Sequence, residues 1–275
     1  MCPNCRAFIT INDRVCPYCD AQLGPRAVDL RASQVAASLL PRANLTSAIV
    51  LTVNLFFFLI ELIVNAQTSG TSMLSGLGGV NGRTVILLGG KYGPLIAAGQ
   101  WWRLITAGLL HDGFIHIAMN SYALFILVTE VEQFYGTSRT VVAYVFSSFC
   151  GFLFSYLANP APSLGASAAA YGLIGIMLAM SIKRRSDPLV QLVRAQYTQW
   201  LIFGLVLSLY GRIDLAAHIG GLAGGFLVGI VAGLPGLPNT PRESVWKVLA
   251  GVAIAITAYA VFQDVRMYPI LARLI

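Results

Sequence analysis

Seven apolar runs punctuate the chain, at about 45–64, 113–134, 140–158, 166–182, 197–210, 215–232 and 245–262. A membrane-crossing helix needs about 20 mostly apolar residues, because the bilayer core offers no water to open backbone groups. The runs therefore read as membrane helices, and the chain as an all-α polytopic membrane protein of seven spans. Composition agrees, with 57% hydrophobic and only 11% charged residues, against about 25% charged in ordinary globular chains. A net charge of +7 raises nucleic acid as a partner. The basic residues, however, gather at span ends, where they mark the cytoplasmic side of a bilayer. The lipid bilayer is the expected partner, and no nucleic acid.

Charge counting orients the spans. The chain opens on a cysteine pair and polar residues, so the first span, rather than a signal peptide, is expected to direct insertion. With the N-terminus inside, the cytoplasmic segments carry Arg6, Arg14, Arg26, Arg31, Arg42, Arg139, Lys183, Arg184, Arg185, Arg194, Arg242 and Lys247. The outer segments carry half as many: Arg83, Lys91, Arg103, Arg212, Arg266 and Arg273. The bias predicts a multi-pass protein of the cell membrane, N-terminus cytoplasmic and C-terminus outside.

Residues 1–24 form a separate module. Cys2-Pro3-Asn4-Cys5 and Cys16-Pro17-Tyr18-Cys19 are two knuckles that bring four thiolates within reach of one tetrahedral zinc ion. So short a segment has too little apolar mass to fold alone, and a structural zinc would supply its folding energy. Two disulfides or a redox dithiol are the alternatives. A reducing cytosol favours zinc, and the module reads as a zinc ribbon. Cys150, inside an apolar span, reads as packing. Residues 25–44, with Arg26, Arg31, Arg42, Pro25 and Pro41, read as a linker or juxtamembrane segment on an anionic surface.

Polar residues inside spans are functional suspects. Ser167 opens the fourth run in Gly165-Ala166-Ser167-Ala168, with Tyr171 one turn on. His116 and Asn120 are four apart and share a helix face. His218 lies in Ala216-Ala217-His218-Ile219-Gly220-Gly221. Taken singly, each has a plain reading: Ser167 bonded to its own helix, His116 a satisfied buried histidine, Asn120 an interhelical hydrogen bond, Tyr171 core packing. Trp101 and Trp102 fit an aromatic belt. Asn54 and Glu61 are the polar residues of the first span, and Glu61, near its outer end, reads as an interfacial carboxylate. Asp214 reads as the N-cap of the sixth span. Gly220, Gly221, Gly224 and Gly225, with Gly172 and Gly175, let the fourth and sixth spans approach closely.

The constellation resembles the rhomboid intramembrane serine proteases. The resemblance rests on a G-x-S-G box at Gly165–Ala168, H-x-x-x-N at His116–Asn120, A-H-x-x-G at Ala217–Gly221 and the pair Trp102-Arg103. It covers roughly 45–233. The serine box departs from the family pattern in its last residue, Ala168, whose methyl is expected to press on the facing span. The resemblance implies a six-span catalytic core over 45–233, with 234–275 adding a cytoplasmic loop, a seventh span and a short outer tail. It implies a catalytic Ser167-His218 dyad, with Tyr171 packed on the His218 ring. His116, Asn120 and the Ser167 N–H would supply oxyanion support. Arg103 would hold a half-embedded first loop in shape by hydrogen bonds, and Gly165 and Gly221 would be structural. Trp200 and Phe203 of the fifth span would form a substrate gate. No cofactor would be needed for catalysis. Glu132 and Gly136 match a further structural pattern of the family.

Three function classes follow: a serine endopeptidase cutting transmembrane segments of other membrane proteins, a catalytically silent relative that binds membrane clients, and a small transporter. The spans hold no charged relay across the bilayer, which weighs against proton-coupled transport. A stable helix hides its peptide bonds, so a protease substrate should carry small or helix-breaking residues near its outer end.

Overall fold

The computed structural model describes residues 2, 4–8, 15–21, 45–183, 188–210, 213–235 and 240–274. The linker expected at 25–44 lies outside the described residues, as do Arg14, Arg184, Arg185, Arg212 and Pro238. The chain divides into two compact units, Met1–Arg42 and Ala43–Ile275.

The larger unit is built of helices: α1 Leu45–Ser69, α2 Gly82–Leu87, α3 Gly93–Ala97, α4 Arg103–Thr106, α5 Gly113–Ala158, α6 Ser167–Lys183, α7 Pro188–Tyr210, α8 Leu215–Ala232 and α9 Pro241–Leu274. Two 3₁₀ turns, Met73–Gly78 and Ala107–Leu109, lie in the long connection between α1 and α5. Among the described residues, α1, α5, α8 and α9 are each long and apolar enough to cross a membrane. Helix α5, at 46 residues, is two spans in one, because Gly136 breaks it with φ 75° and ψ 162°. That left-handed φ suits a residue without Cβ. Helix α6 is apolar but shorter, and the described residues form an all-α polytopic membrane protein.

Helix α6 is the centre of the bundle. Buried residues make up 13 of its 17 positions, the mark of a helix enclosed on every side. At 1.5 Å per residue it is about 26 Å long, against a hydrocarbon core of about 30 Å. Close approach comes from glycine. A Cβ on Gly225 would lie 1.8 Å from the Gly172 carbonyl oxygen, and one on Gly221 would lie 2.1 Å from that of Ala168.

Three expectations need correction. Glu61 is not an interfacial carboxylate: it is fully buried, and its two oxygens accept the His111 N–H at 3.0 and 2.9 Å. An amide that lacks a helical partner thereby gains one. Trp102 is not part of an aromatic belt but is buried with Ile105 and Ala260; Trp101 is the exposed ring, stacked on Tyr259. The short polar tail after residue 262 is instead the continuation of α9. Leu271 packs with Val64 and Leu87. Asp264 is buried against the first loop, its Oδ1 2.7 Å from where a Gly89 Cβ would stand. Packing, not hydropathy, sets where that helix ends.

Candidate active site

Three segments distant in sequence meet at one end of the bundle. Ser167 Oγ lies 2.8 Å from His218 Nε2. The Tyr171 ring, one turn below Ser167 on α6, stacks on the His218 imidazole with centroids 4.1 Å apart and planes 15° apart. The stack fixes the ring plane, and the hydrogen bond fixes its rotation.

Gly165 explains how His116 joins them. Its φ is 131°, and a Cβ there would stand 2.9 Å from His116 Nε2 and 3.5 Å from Ser167 Oγ. Only a glycine leaves room for both side chains over its Cα. The Asp112 N–H donates to His116 Nδ1 at 3.1 Å. A neutral imidazole that accepts at Nδ1 carries its proton on Nε2, so the nitrogen facing Gly165 is a donor. Asn120, one turn further on, is buried, and its Nδ2 finds no partner among the described residues. A buried amide donor left unmated is costly in a resting protein, and it suits a group that bonds only to a transient anion. The start of α6 adds backbone N–H groups that have no partner within the helix. His111 stands edge-on to His116, 5.4 Å between centroids, and Glu61 holds its backbone from α1.

The loops around the site are pinned by buried cations. Arg103 is fully buried and donates from Nε to Gln100 Oε1 at 2.7 Å, and from Nη1 to the carbonyls of Ile86 and Gly90 at 2.8 and 2.9 Å. Lys91, which sequence reasoning placed only as an outer charge, is also fully buried. Its Nζ donates to the carbonyls of Asn159 at 2.8 Å and Ala161 at 2.6 Å, and lies 3.9 Å from Asp214 Oδ2. Its backbone forms an antiparallel bridge with Ser163, 2.9 Å in both directions. One residue thus ties the first loop to the segment entering the serine box and to the start of α8. Burial lowers the Lys91 ammonium below the usual lysine range, and Asp214 partly offsets this. Asp214 caps α8, as expected, by accepting the Ala217 N–H at 3.0 Å, and it also accepts from Ser155. Both its oxygens are engaged away from the His218 ring.

One partner of the histidine had no signal in the sequence. Ser208, on α7, lies with its Oγ 2.9 Å from His218 Nδ1. A single serine in an apolar helix reads as bonded to its own backbone, and Ser208 does also donate to Gly204 O at 2.8 Å. Of the gate residues expected on α7, Phe203 is exposed, while Trp200 packs partly on the core.

The smaller unit gathers Cys2, Cys5, Cys16 and Cys19 with all four sulfurs within 4.8 Å of one another. The two knuckles are alike. Cys2 N–H donates to Ala7 O and Cys16 N–H to Ala21 O, and each chain then turns through a left-handed residue, Arg6 or Asp20. The pairs Cys2/Cys19 and Cys5/Cys16 are each 3.7 Å apart. A disulfide needs about 2.05 Å, whereas Zn–S bonds of about 2.3 Å place tetrahedral sulfurs about 3.8 Å apart. The donor set and spacing fit a tetrahedral thiophilic metal. The Cys5 backbone amide and further hydrogen bonds draw the Cys2 thiol down to about 6, against desolvation.

A family model described as a Rhomboid domain matches residues 98–234. Rhomboid protease GluP of Bacillus subtilis (strain 168) is 36% identical over 165 residues, covering 58% of this chain and 31% of its own. YdcA of the same organism is 34% identical over 140 residues, 48% of this chain and 68% of its own. Rhomboid-like protease 3 of Toxoplasma gondii is 33% identical over 149 residues, 53% of this chain and 57% of its own. This chain thus spans under a third of GluP and about two thirds of YdcA.

Proposed function

The chain belongs to the rhomboid family of membrane proteins, and from that premise we propose that it is a serine-type intramembrane endopeptidase working by a Ser167-His218 dyad. The observation that carries the reading is the 2.8 Å contact between Ser167 Oγ and His218 Nε2 at the end of a membrane bundle.

The reaction is acyl transfer. His218 Nε2 takes the Ser167 hydroxyl proton as Oγ attacks the peptide carbonyl carbon. The carbonyl oxygen becomes an oxyanion, received by His116 Nε2–H, Asn120 Nδ2–H and the Ser167 backbone N–H. Such preorganised donors are worth about 10²–10³ in rate each. His218 then gives its proton to the leaving amine, and the C–N bond breaks. A water, deprotonated by the same nitrogen, hydrolyses the acyl-serine ester and restores the enzyme. Tyr171 holds the base flat through both steps.

The substrate class is the transmembrane segment of another membrane protein, carrying small or helix-breaking residues near its outer end, where backbone is exposed to attack. The N-terminus lies in the cytoplasm and the C-terminus outside. Residues 45–233 are the catalytic core and 234–275 an added loop and helix. The module of residues 1–24 is a cytoplasmic ribbon closed by one structural zinc on Cys2, Cys5, Cys16 and Cys19.

A fluorogenic transmembrane substrate in detergent tests the reading. The wild-type chain cleaves it, and Ser167→Ala does not. Equal cleavage by both would remove the assignment.

A further inference from the structure

We propose that Ser208 is a positioning residue that sets the tautomer of His218, in the place where a carboxylate stands in a three-membered serine site. The proposal rests on the dyad reading for its consequence in rate, but the tautomer itself can be read without any turnover.

The argument is a count of protons. Ser208 Oγ stands 2.8 Å from Gly204 O, and a carbonyl oxygen can only accept. We assign the single hydroxyl proton of Ser208 to that bond, the shorter of its two. The remaining lone pairs face His218 Nδ1 at 2.9 Å, so that contact holds only with a proton on Nδ1. A neutral imidazole has one N–H. With it on Nδ1, Nε2 is bare, 2.8 Å from Ser167 Oγ, and the Ser167 hydroxyl must be the donor. The chain Ser167 to His218 to Ser208 to Gly204 O thus has one consistent direction, and it is the direction a base needs.

The geometry leaves Ser208 as the group able to do this. Asp214, the acid nearest in sequence, spends Oδ1 on Ala217 N and Oδ2 on Ser155 and Lys91. Ser208 and His218 are 5% and 4% exposed, so bulk water does not compete freely for Nδ1. When His218 becomes an imidazolium during attack, Nδ1–H still donates to Ser208 Oγ and no further proton moves.

The test uses the full chain in micelles with imidazole-15N histidine. There are only three histidines, and His218→Ala identifies the signals of residue 218. Wild type should show His218 as the Nδ1–H form. Ser208→Ala should shift it to a mixture or to Nε2–H, lowering kcat about 10–100-fold with KM changed by no more than about twofold. Ser208→Thr, which keeps a hydroxyl, should restore the tautomer and most of the rate. An unchanged tautomer and kcat in Ser208→Ala would overturn the proposal. So would equal loss in Ser208→Ala and Ser208→Thr with the tautomer intact, which would mark Ser208 as packing. A wild type without proteolysis, but with the tautomer change on Ser208→Ala, would remove the protease reading and still support the assignment.

Discussion

The Ala168 methyl faces Gly151, on the second arm of α5: a Cβ added to Gly151 would stand 2.7 Å from it. Helix α8 passes over the Ala168 backbone, with Gly221 against its carbonyl oxygen. The methyl that departs from the rhomboid serine box is absorbed by a glycine on a third element, and the Ser167–His218 contact survives beside it. Gly151→Ala should therefore cost about 1–3 kcal/mol by overpacking. Part of that should be relieved by adding Ala168→Gly, while the rest persists because Gly151 also abuts the Ala217 carbonyl oxygen. Thermal unfolding in detergent, run as a double-mutant cycle, measures the coupling.

Neighbouring glycines on α8 should respond very differently. A Cβ on Gly225 would strike the Gly172 carbonyl oxygen at 1.8 Å, whereas one on Gly224 would meet the Cys150 side chain at 2.9 and 3.1 Å. The Cys150 Cβ is fixed to its helix, but a 2.9 Å approach asks α5 to give far less than a 1.8 Å collision with a carbonyl oxygen asks of α6. Gly225→Ala should separate α6 from α8 and abolish cleavage, while Gly224→Ala should keep at least a tenth of it, about 1.4 kcal/mol or less in barrier. Folded yield and cleavage rate of the two variants make the comparison.

Lys91 holds three segments at once, so Lys91→Met should loosen them together. It strands the Asn159 and Ala161 carbonyls and leaves Asp214 without its nearby cation. Breaking such a buried cluster should cost about 1–3 kcal/mol, with a faster hydrogen exchange at 159–163 and 89–93. Exchange mass spectrometry reads this directly, and unchanged protection there would contradict the role given to Lys91.

These relationships show where sequence reading stops. The residues Gly165, Ser167, Tyr171, His116, Asn120, His218 and Gly221 could be picked out because their short spacings on apolar helices match a family pattern; each taken singly reads as packing or a local hydrogen bond. So could Arg103 and the four cysteines. Ser208, Lys91 and Glu61 could not, because their partners lie at Nδ1 of His218, at residues 159–161 and at His111. Such contacts depend on how helices and loops are set against one another, which periodicity does not encode. Helix ends failed for a related reason. Helix α9 runs on through Asp264 to Leu274 because tertiary packing shelters polar residues that hydropathy would place in water.

The cysteine module predicts a metal stoichiometry. The purified chain should hold close to one zinc, lost when any of Cys2, Cys5, Cys16 or Cys19 is changed to Ser and kept in Cys150→Ser. Elemental analysis after mild chelation checks it, and full zinc retention in a chain lacking all four cysteines would refute it.

The account turns on Ser167 being a nucleophile made reactive by His218. The direct measurement is covalent labelling of the detergent-solubilised chain by a fluorophosphonate, mapped by mass spectrometry. The predicted result is one adduct, on Ser167, strongly reduced in His218→Ala. Labelling that misses Ser167, or that is as fast in His218→Ala as in the wild type, would contradict it.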